Sequence, residues 1–494
     1  MSISRDTGYN LAAAVAPGLF MLAVIPFYIH AIGAERFGVL AICWTIVSAL
    51  RFASLGMGPS LTYRLATMDD APVGSRSSLV WTALILALAA SALGAVLVLG
   101  ISKVYFSYFF SASSALDAEI RQAMPLLAAG LPVALVIGVL NGALQGMRRF
   151  AALSTVTIIN AALVTALPLV VALLFSVRLD GLILATMAAN ILAAMIELGI
   201  CARLVPLRLS DGPKRSDVPG LMGYGAWMSG TALIAPLVIL LDRFVIGALR
   251  GPAAVAAYVL PYNLVQQLVL LPASLTSAVL PRLAPLTEDE VRQMQSSALQ
   301  WLNGLLTPIT IIAIAFAAPF LGLWIGPTLA RIASPVAVIL LVGAWVHGIG
   351  HVPSTIVVGR RRPDLLTKLL LAYLVPYVAI LYVATLRFGV VGAATAWTIR
   401  AAFDPILFAF TRPYSSDLRS VLLSGALVFA AMVAALALRW TSSSYWVLGS
   451  VILVASCYQH RRVLSASATH WRRMRLSSVP STKGVEVLIG ENGL

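Results

Sequence analysis

Apolar runs of about 20 residues follow one another from Asn10 to His460, separated by short polar connections. At about 1.5 Å per residue, each run is long enough as a helix to cross a hydrocarbon layer of roughly 30 Å. The pattern predicts an all-α fold, a polytopic membrane protein of about fourteen transmembrane helices. The predicted spans are residues 10–32, 37–63, 79–101, 122–145, 151–175, 181–203, 221–246, 253–280, 301–325, 335–358, 365–386, 389–411, 420–438 and 443–460.

Composition agrees with this prediction and argues against a soluble enzyme. Apolar residues make up 60% of the 494 positions and charged residues 11%, whereas soluble domains contain about half and about a quarter. No connection is long enough to hold a catalytic domain. The three cysteines, Cys43, Cys201 and Cys457, fall inside apolar runs and do not form a disulfide or metal framework. We therefore expect no cofactor and no metal.

The net charge of +15 is distributed as in a membrane protein. Lysine and arginine concentrate in the short leader, the even-numbered connections and the tail, which places both termini in the cytoplasm by the positive-inside rule. The arginines are spread over short loops and do not form one basic face, so we expect no nucleic-acid partner.

The two halves of the chain share an internal repeat. The segment IGAERFGVLAICW from Ile32 is echoed by IGALRGPAAVAAY from Ile246, SLTYRLA ending at Ala66 by AVLPRLA ending at Ala284, and GMRRF from Gly146 by GRRRP from Gly359. The offsets, 214, 218 and 213 residues, span six helices. Because six is even, the two copies have the same orientation, and two such lobes are suited to alternating access.

The repeat predicts the domain organisation. Residues 1–203 form an N-lobe, 204–220 a cytoplasmic linker, 221–412 a C-lobe, 413–460 two further helices, and 461–494 a basic cytoplasmic tail. Transport follows from this organisation more directly than catalysis does.

Three segments carry a resemblance to a known family: PFYIHAIGAERFGVLAICW from Pro26, LGMGPSLTYRLA from Leu55, and the stretch from Tyr224 to Leu286 that contains LLDRFVIGALRG. The chain resembles the multidrug/oligosaccharidyl-lipid/polysaccharide exporter superfamily, and within it the Wzx-type O-antigen and exopolysaccharide flippases. The resemblance implies a bacterial inner-membrane protein that moves an undecaprenyl-pyrophosphate-linked glycan to the periplasmic leaflet. Its expected partners are that glycan, membrane lipids and other polysaccharide-assembly membrane proteins, with a monomer as the default state.

Alternatives stay open at this point. A lipid II flippase for peptidoglycan differs mainly in its head group, and a cation-coupled multidrug exporter belongs to the same superfamily. A membrane polysaccharide polymerase or ligase is less favoured, because it needs a large periplasmic loop.

Charged residues within spans are rare and costly in lipid, so they are the candidate substrate contacts. Arg51 lies fourteen residues from both Phe37 and Leu65, hence near the midplane, where it would meet a passing pyrophosphate or pair with Asp404. Arg400 and Asp404 are four residues apart, which permits an ion pair within one helix.

The remaining candidates are polar. Asp242 and Arg243 lie toward the outer end of the seventh span, where LLDRFVIG resembles the family pattern. Tyr262, Asn263 and Gln266 follow Pro261, and a helix interrupted by proline is tolerated beside a cavity. His347 and His351, also four apart, are candidates for proton coupling; polar packing is the simpler interpretation, and no carboxylate of their span completes a zinc site.

Overall fold

The computed structural model describes residues 3–50, 57–68, 72–110, 113–204, 207–208, 210–222, 241–279, 283, 286–360, 362–412 and 414–461. Within these ranges the chain is helical and contains no strand. The helices are α1 Ile3–Leu50, α2 Met57–Ala66, α3 Val73–Val104, α4 Ser114–Ala129, α5 Leu131–Gly146, α6 Phe150–Leu174, α7 Leu179–Leu204, α8 241–250, α9 Pro252–Val279, α10 Glu288–Ile325, α11 Pro327–Gly359, α12 Pro363–Ala401, α13 Phe408–Thr411, α14 Ser415–Ala437 and α15 Ser443–Gln459.

Ten helical stretches of the described chain are long and apolar enough to cross a membrane. Leu365–Thr411 contains two predicted spans, and Val15–Val47 overlaps parts of two others. Large apolar side chains such as Leu323, Val375 and Phe175 are 92%, 75% and 80% exposed, a distribution that only a lipid environment tolerates. The prediction of a polytopic helical membrane protein is confirmed.

Glycines with positive φ stand in three of the predicted odd-numbered connections and directly after a fourth. Gly33 (φ 74°) interrupts α1 and Gly389 (φ 61°) interrupts α12, while Gly251 (φ 77°) and Gly326 (φ 82°) separate consecutive helices. A residue with a Cβ is strained at these angles, so glycine allows two spans to meet with almost no loop. We call this side of the molecule the glycine-turn end.

Equivalent contacts recur in the two copies of the repeat. A Cβ on Gly146 would lie 2.8 Å from Leu65 Cβ, and a Cβ on Gly359 would lie 3.1 Å from Leu283 Cβ. Gly146 and Gly359 are matched by the repeat, and so are Leu65 and Leu283. In each copy, the glycine at the end of one helix, Gly146 or Gly359, therefore packs closely against the corresponding leucine, Leu65 or Leu283. The predicted domain boundaries themselves stay a prediction.

Helix α1 joins the first half of the chain (residues 3–204) to the second half (residues 241–411), because it packs on α6 and on α9. Hydrogen bonds between the halves lie toward the glycine-turn end. Trp324 Nε1 donates to the Leu22 carbonyl oxygen (2.9 Å), and Tyr105 Oη donates to the Phe244 carbonyl oxygen (2.9 Å). Helices α14 and α15 pack on α10, outside the repeat.

Helix α10 differs from its predicted span. It begins at Glu288 and not near residue 301, because Thr287 and Glu290 form a capping box ahead of the apolar run. The Thr287 side chain accepts from the Glu290 backbone N–H, and the Glu290 carboxylate accepts from the Thr287 backbone N–H. The helix therefore extends beyond its apolar run in the N-terminal direction.

Candidate substrate site

Arg243 on α8 reaches from the second half of the chain to the first. Its Nη1 donates to Thr45 Oγ1, and its guanidinium lies 5.5 Å from the centre of the Tyr262 ring. Gln266, one turn beyond Tyr262 on α9, donates from Nε2 to the Tyr262 hydroxyl. The arginine is thus held by a hydroxyl and by an aromatic face, both of them uncharged.

Arg400 near the end of α12 has partners of the same kind. Its Nη1 donates to the Tyr373 hydroxyl (3.4 Å), and its guanidinium lies 5.6 Å from the centre of the Trp397 ring. The Trp397 and Tyr262 rings meet edge to face at 5.8 Å, which joins the surroundings of Arg400 to those of Arg243. Among the salt bridges of the described residues, none joins either arginine to a carboxylate.

Asp242, the neighbour of Arg243, is bound by tyrosines. Its side chain accepts from the Tyr258 hydroxyl (2.6 Å) and from the Tyr377 hydroxyl, and the residue is 1% exposed. A buried carboxylate is tolerated only when donors replace its water, and the two hydroxyls do so. Asp242 therefore helps to hold α8, α9 and α12 together.

The ion pair that the spacing of Arg400 and Asp404 permits is not among the salt bridges of the described residues. Helix α12 ends at Ala401, and Asp404 begins the 3-10 turn that follows it. Asp404 instead meets His347 of α11, with 2.5 Å between its Oδ2 and His347 Nδ1. His351 lies next to His347 with ring centres 4.9 Å apart. In the described part of the chain, no three His, Cys, Asp or Glu side chains converge as a metal site requires.

The end of α12 is a break within a predicted span. After Ala401 the chain turns, forms a 3-10 turn at Asp404–Leu407, and resumes as the short helix α13. Pro405 lacks the N–H that a continuous helix would use, and it is the sequence signal that our prediction of one span over 389–411 missed.

Three buried nitrogens in this region have no hydrogen-bond partner within the described residues: Arg400 Nε, Trp397 Nε1 and His351 Nε2. The first two are obligate donors. Buried donors in native proteins are nearly always bonded, so these two unpartnered donors are candidates to bind a ligand that supplies acceptors.

The structure brings most of the predicted site residues into one cluster, which we call the arginine cluster. Its predicted members are Asp242, Arg243, Tyr262, Gln266, His347, His351, Arg400 and Asp404. No described contact joins Asn263 to the cluster, and Arg51 lies outside the described residues. Sequence reasoning missed four aromatic members, although three of them share a four-residue spacing with another member: Tyr258, Tyr373, Tyr377 and Trp397.

Comparisons with known proteins agree with this architecture. The chain resembles, over its full fold, the lipid II flippase MurJ in an inward closed conformation, with a TM-score of 0.72, 11% identity, and coverage of 94% of this chain and 99% of that one. It also resembles a multidrug resistance MATE family transporter of the MOP superfamily in an inward-facing conformation. There the TM-score is 0.62 at 16% identity, over 87% of this chain and 96% of that one. At these identities the likeness shows the fold.

Sequence comparisons give the family. A putative O-antigen transporter of Shigella flexneri is 24% identical over 420 residues, covering 82% of this chain and 97% of that protein. The family model described as polysaccharide biosynthesis protein matches residues 3–287, more than half of the chain. The resemblance to polysaccharide exporters that the sequence suggested is confirmed. This chain belongs to the polysaccharide biosynthesis protein family.

Proposed function

We propose that this protein flips a lipid-linked glycan, carried on undecaprenyl pyrophosphate, from the cytoplasmic to the periplasmic leaflet of a bacterial inner membrane. The family and the similarity to a putative O-antigen transporter support this function. The observation that carries it is the arginine cluster, in which the hydrogen-bond and ring partners of two guanidinium groups at membrane depth are uncharged among the described residues.

The cluster suits a phosphate group for two reasons. First, its carboxylates are already engaged, Asp242 by two tyrosines and Asp404 by His347. They therefore do not neutralise Arg243 and Arg400 directly. Second, a guanidinium presents a planar set of donors that matches phosphate oxygens, and such charge-assisted bonds are about twice as strong as neutral ones. A pyrophosphate would give both arginines an anionic partner.

The glycan itself requires a polar route. Moving an unpaired hydroxyl into hydrocarbon costs roughly 2–7 kcal/mol, and a head group carries many. The polyprenyl tail has no such cost and stays in lipid. Transport then consists of moving the head group past the arginine cluster while the tail follows in the bilayer, without breaking a covalent bond.

We assign the glycine-turn end to the periplasm, with both termini in the cytoplasm, on the distribution of lysine and arginine. In the structure the two halves contact each other near this end. The head group would then enter from the cytoplasmic side and leave once these contacts separate. The protein would act as a monomer in the inner membrane, beside other polysaccharide-assembly proteins.

A flipping assay in proteoliposomes tests the proposal. The substrate is an undecaprenyl-pyrophosphate-linked glycan, and the fraction exposed to a membrane-impermeant glycosidase is followed over time. Arg400→Gln should lower the initial rate about tenfold to a hundredfold, because charge-assisted hydrogen bonds contribute about 1.5–3 kcal/mol. Arg387→Gln is the matched control, since Arg387 is an exposed arginine of the same helix, and it should keep the wild-type rate.

Several outcomes would reject the proposal. Wild-type protein that does not flip the glycan rejects the function, and faster movement of lipid II or of a cationic drug would favour one of the alternatives. Recovery of a chemically altered lipid would indicate an enzyme. An Arg400→Gln rate equal to that of Arg387→Gln would reject the arginine cluster as the substrate site.

A further inference from the structure

A separate cavity of about 260 Å³ lies inside the first half of the chain. Segments of α1, α4, α6 and α7 line it. Its volume corresponds to roughly nine water molecules at about 30 Å³ each, a space suited to one sugar ring. None of its lining residues is charged. Five of them carry a group that can form hydrogen bonds: Trp44, Thr157, Asn160, Thr186 and Asn190.

Three of these polar side chains bond within their own helix. Thr157 donates to the Leu153 carbonyl oxygen (2.8 Å), Thr186 to that of Leu182 (2.9 Å), and Asn190 to the Thr186 carbonyl oxygen (2.8 Å). Polar residues in membrane helices commonly serve to bond one helix to the next. These three bonds do not link helices.

The second half of the chain provides the contrast. There, Asn303 of α10 donates to Ser424 of α14 (2.9 Å), and Trp345 of α11 donates to Thr307 of α10 (3.0 Å). Those side chains do hold neighbouring helices together. Other hydroxyls of the second half, such as those of Thr276 and Ser354, bond within their own helix as Thr157 and Thr186 do. What distinguishes Thr157, Thr186 and Asn190 is that they line an open cavity, whereas Asn303 packs against a neighbouring helix.

Asn160 gives the second observation. Its side-chain oxygen is buried and has no hydrogen-bond partner within the described residues. Because Asn160 lines the cavity, rotation of its amide would present this oxygen to a ligand that carries donors. Trp44 adds an amphipathic ring to the wall, and its Nε1 makes only a long bond to Thr186 Oγ1 (3.4 Å).

We propose that this cavity binds an uncharged sugar unit of the transported head group. The proposal rests on the proposed function. In it, the sugar, which carries the hydroxyls of the ligand, binds to the first half of the chain. Amides, hydroxyls and an aromatic ring can bond and pack against a sugar, whereas a phosphate would be favoured by a cation that this cavity lacks.

The two binding regions meet neighbouring residues of α1. Trp44 of the cavity precedes Thr45, and Thr45 accepts the hydrogen bond from Arg243 of the arginine cluster. In the proposed binding mode, a head group with its phosphate at Arg243 extends around α1, so that its sugar reaches the wall that Trp44 forms. This arrangement places the charged and the uncharged parts of one ligand in different halves of the protein.

The test measures binding to the full-length protein in nanodiscs by native mass spectrometry. Four probes are compared: undecaprenyl pyrophosphate alone, and the same lipid bearing glucose, galactose or N-acetylglucosamine. Wild-type protein should bind at least one sugar-bearing lipid about tenfold more tightly than the bare lipid, the effect of one or two neutral hydrogen bonds. Asn160→Leu should abolish this preference and leave the affinity for bare undecaprenyl pyrophosphate unchanged.

Thr157→Val provides a second, nearly isosteric variant and should reduce the preference in the same direction. Thr155→Val is its matched control: Thr155 makes the same bond within α6 but is exposed on another face, and its loss should change nothing. The sugar site is rejected if wild type shows no preference, or if Asn160→Leu weakens binding of all four lipids equally. Failure of wild type to bind any of them rejects the proposed function and this site with it.

Discussion

Gly38 stands where the first half of the chain meets the start of α9, and it allows the glycine-turn end to close. A Cβ at Gly38 would lie 1.9 Å from the Pro252 carbonyl oxygen, although ordinary contacts begin at 3.4 Å. Gly38→Ala should therefore drive the two halves apart at this end. Within a helix the alanine is itself favourable by about 1 kcal/mol, so any loss of the closed state comes from this contact.

The size of the effect follows from the geometry. The obstructing atom is a backbone oxygen, which cannot rotate away as a flexible side chain can, so it must retreat by about 1.5 Å to reach an ordinary contact. Overpacking of this kind costs about 1–3 kcal/mol. The ratio of closed to open molecules should thus fall about fivefold to 150-fold.

Pulsed electron spin resonance can measure this shift. Spin labels at Glu35→Cys and Arg387→Cys, both exposed near the glycine-turn end, report the distance between the halves in a background without native cysteines. Gly38→Ala should increase the population at long distance. Gly322→Ala is the control, because a Cβ there meets nothing within 4 Å. If Gly38→Ala keeps the wild-type distance distribution, as Gly322→Ala should, the contact at Gly38 does not determine closure.

Two further predictions concern stability, measured as thermal unfolding of the detergent-solubilised protein. Asp242→Ala should destabilise it by about 1–3 kcal/mol, because two buried tyrosine hydroxyls lose their acceptor; an unchanged midpoint would contradict this. Glu119→Gln should also cost about 1–3 kcal/mol, since Glu119 pairs with Arg36 and accepts from the Leu179 N–H. Asp180→Asn, which breaks the exposed pair of Asp180 with Arg178, should cost under about 1 kcal/mol. Equal losses of stability in Glu119→Gln and Asp180→Asn would contradict the expected difference between the two pairs.

Apolar runs predicted the polytopic helical fold because lipid selects directly for them, but they predicted helix ends less well. Helix α10 starts at Glu288 because Thr287 and Glu290 cap it outside the apolar run. The break at Asp404 was missed for the opposite reason, since the residues around it remain apolar and only Pro405 marks it. Helix ends depend on backbone hydrogen bonds, to which hydropathy is insensitive.

The candidate site was predicted only where it carries charge. Arg243, Arg400 and Asp404 stood out as rare charges within apolar runs, and the structure places them in one region. Their aromatic partners were missed, because a tyrosine or tryptophan in a span is equally typical of packing and of a membrane interface. Asn160 was missed as well, since one amide among apolar residues gives little signal until a cavity is seen beside it.

The separation of charge between the halves suggests how the head group would be released. Arg243 and Arg400 belong to the second half, and the uncharged cavity around Asn160 belongs to the first. A head group that engages both regions binds more tightly than either region alone would bind it, and this gain is lost once the two regions can no longer be reached at the same time. Separation at the glycine-turn end breaks the bond between Arg243 and Thr45. The same movement that opens the path would thus weaken binding, so release needs no separate step.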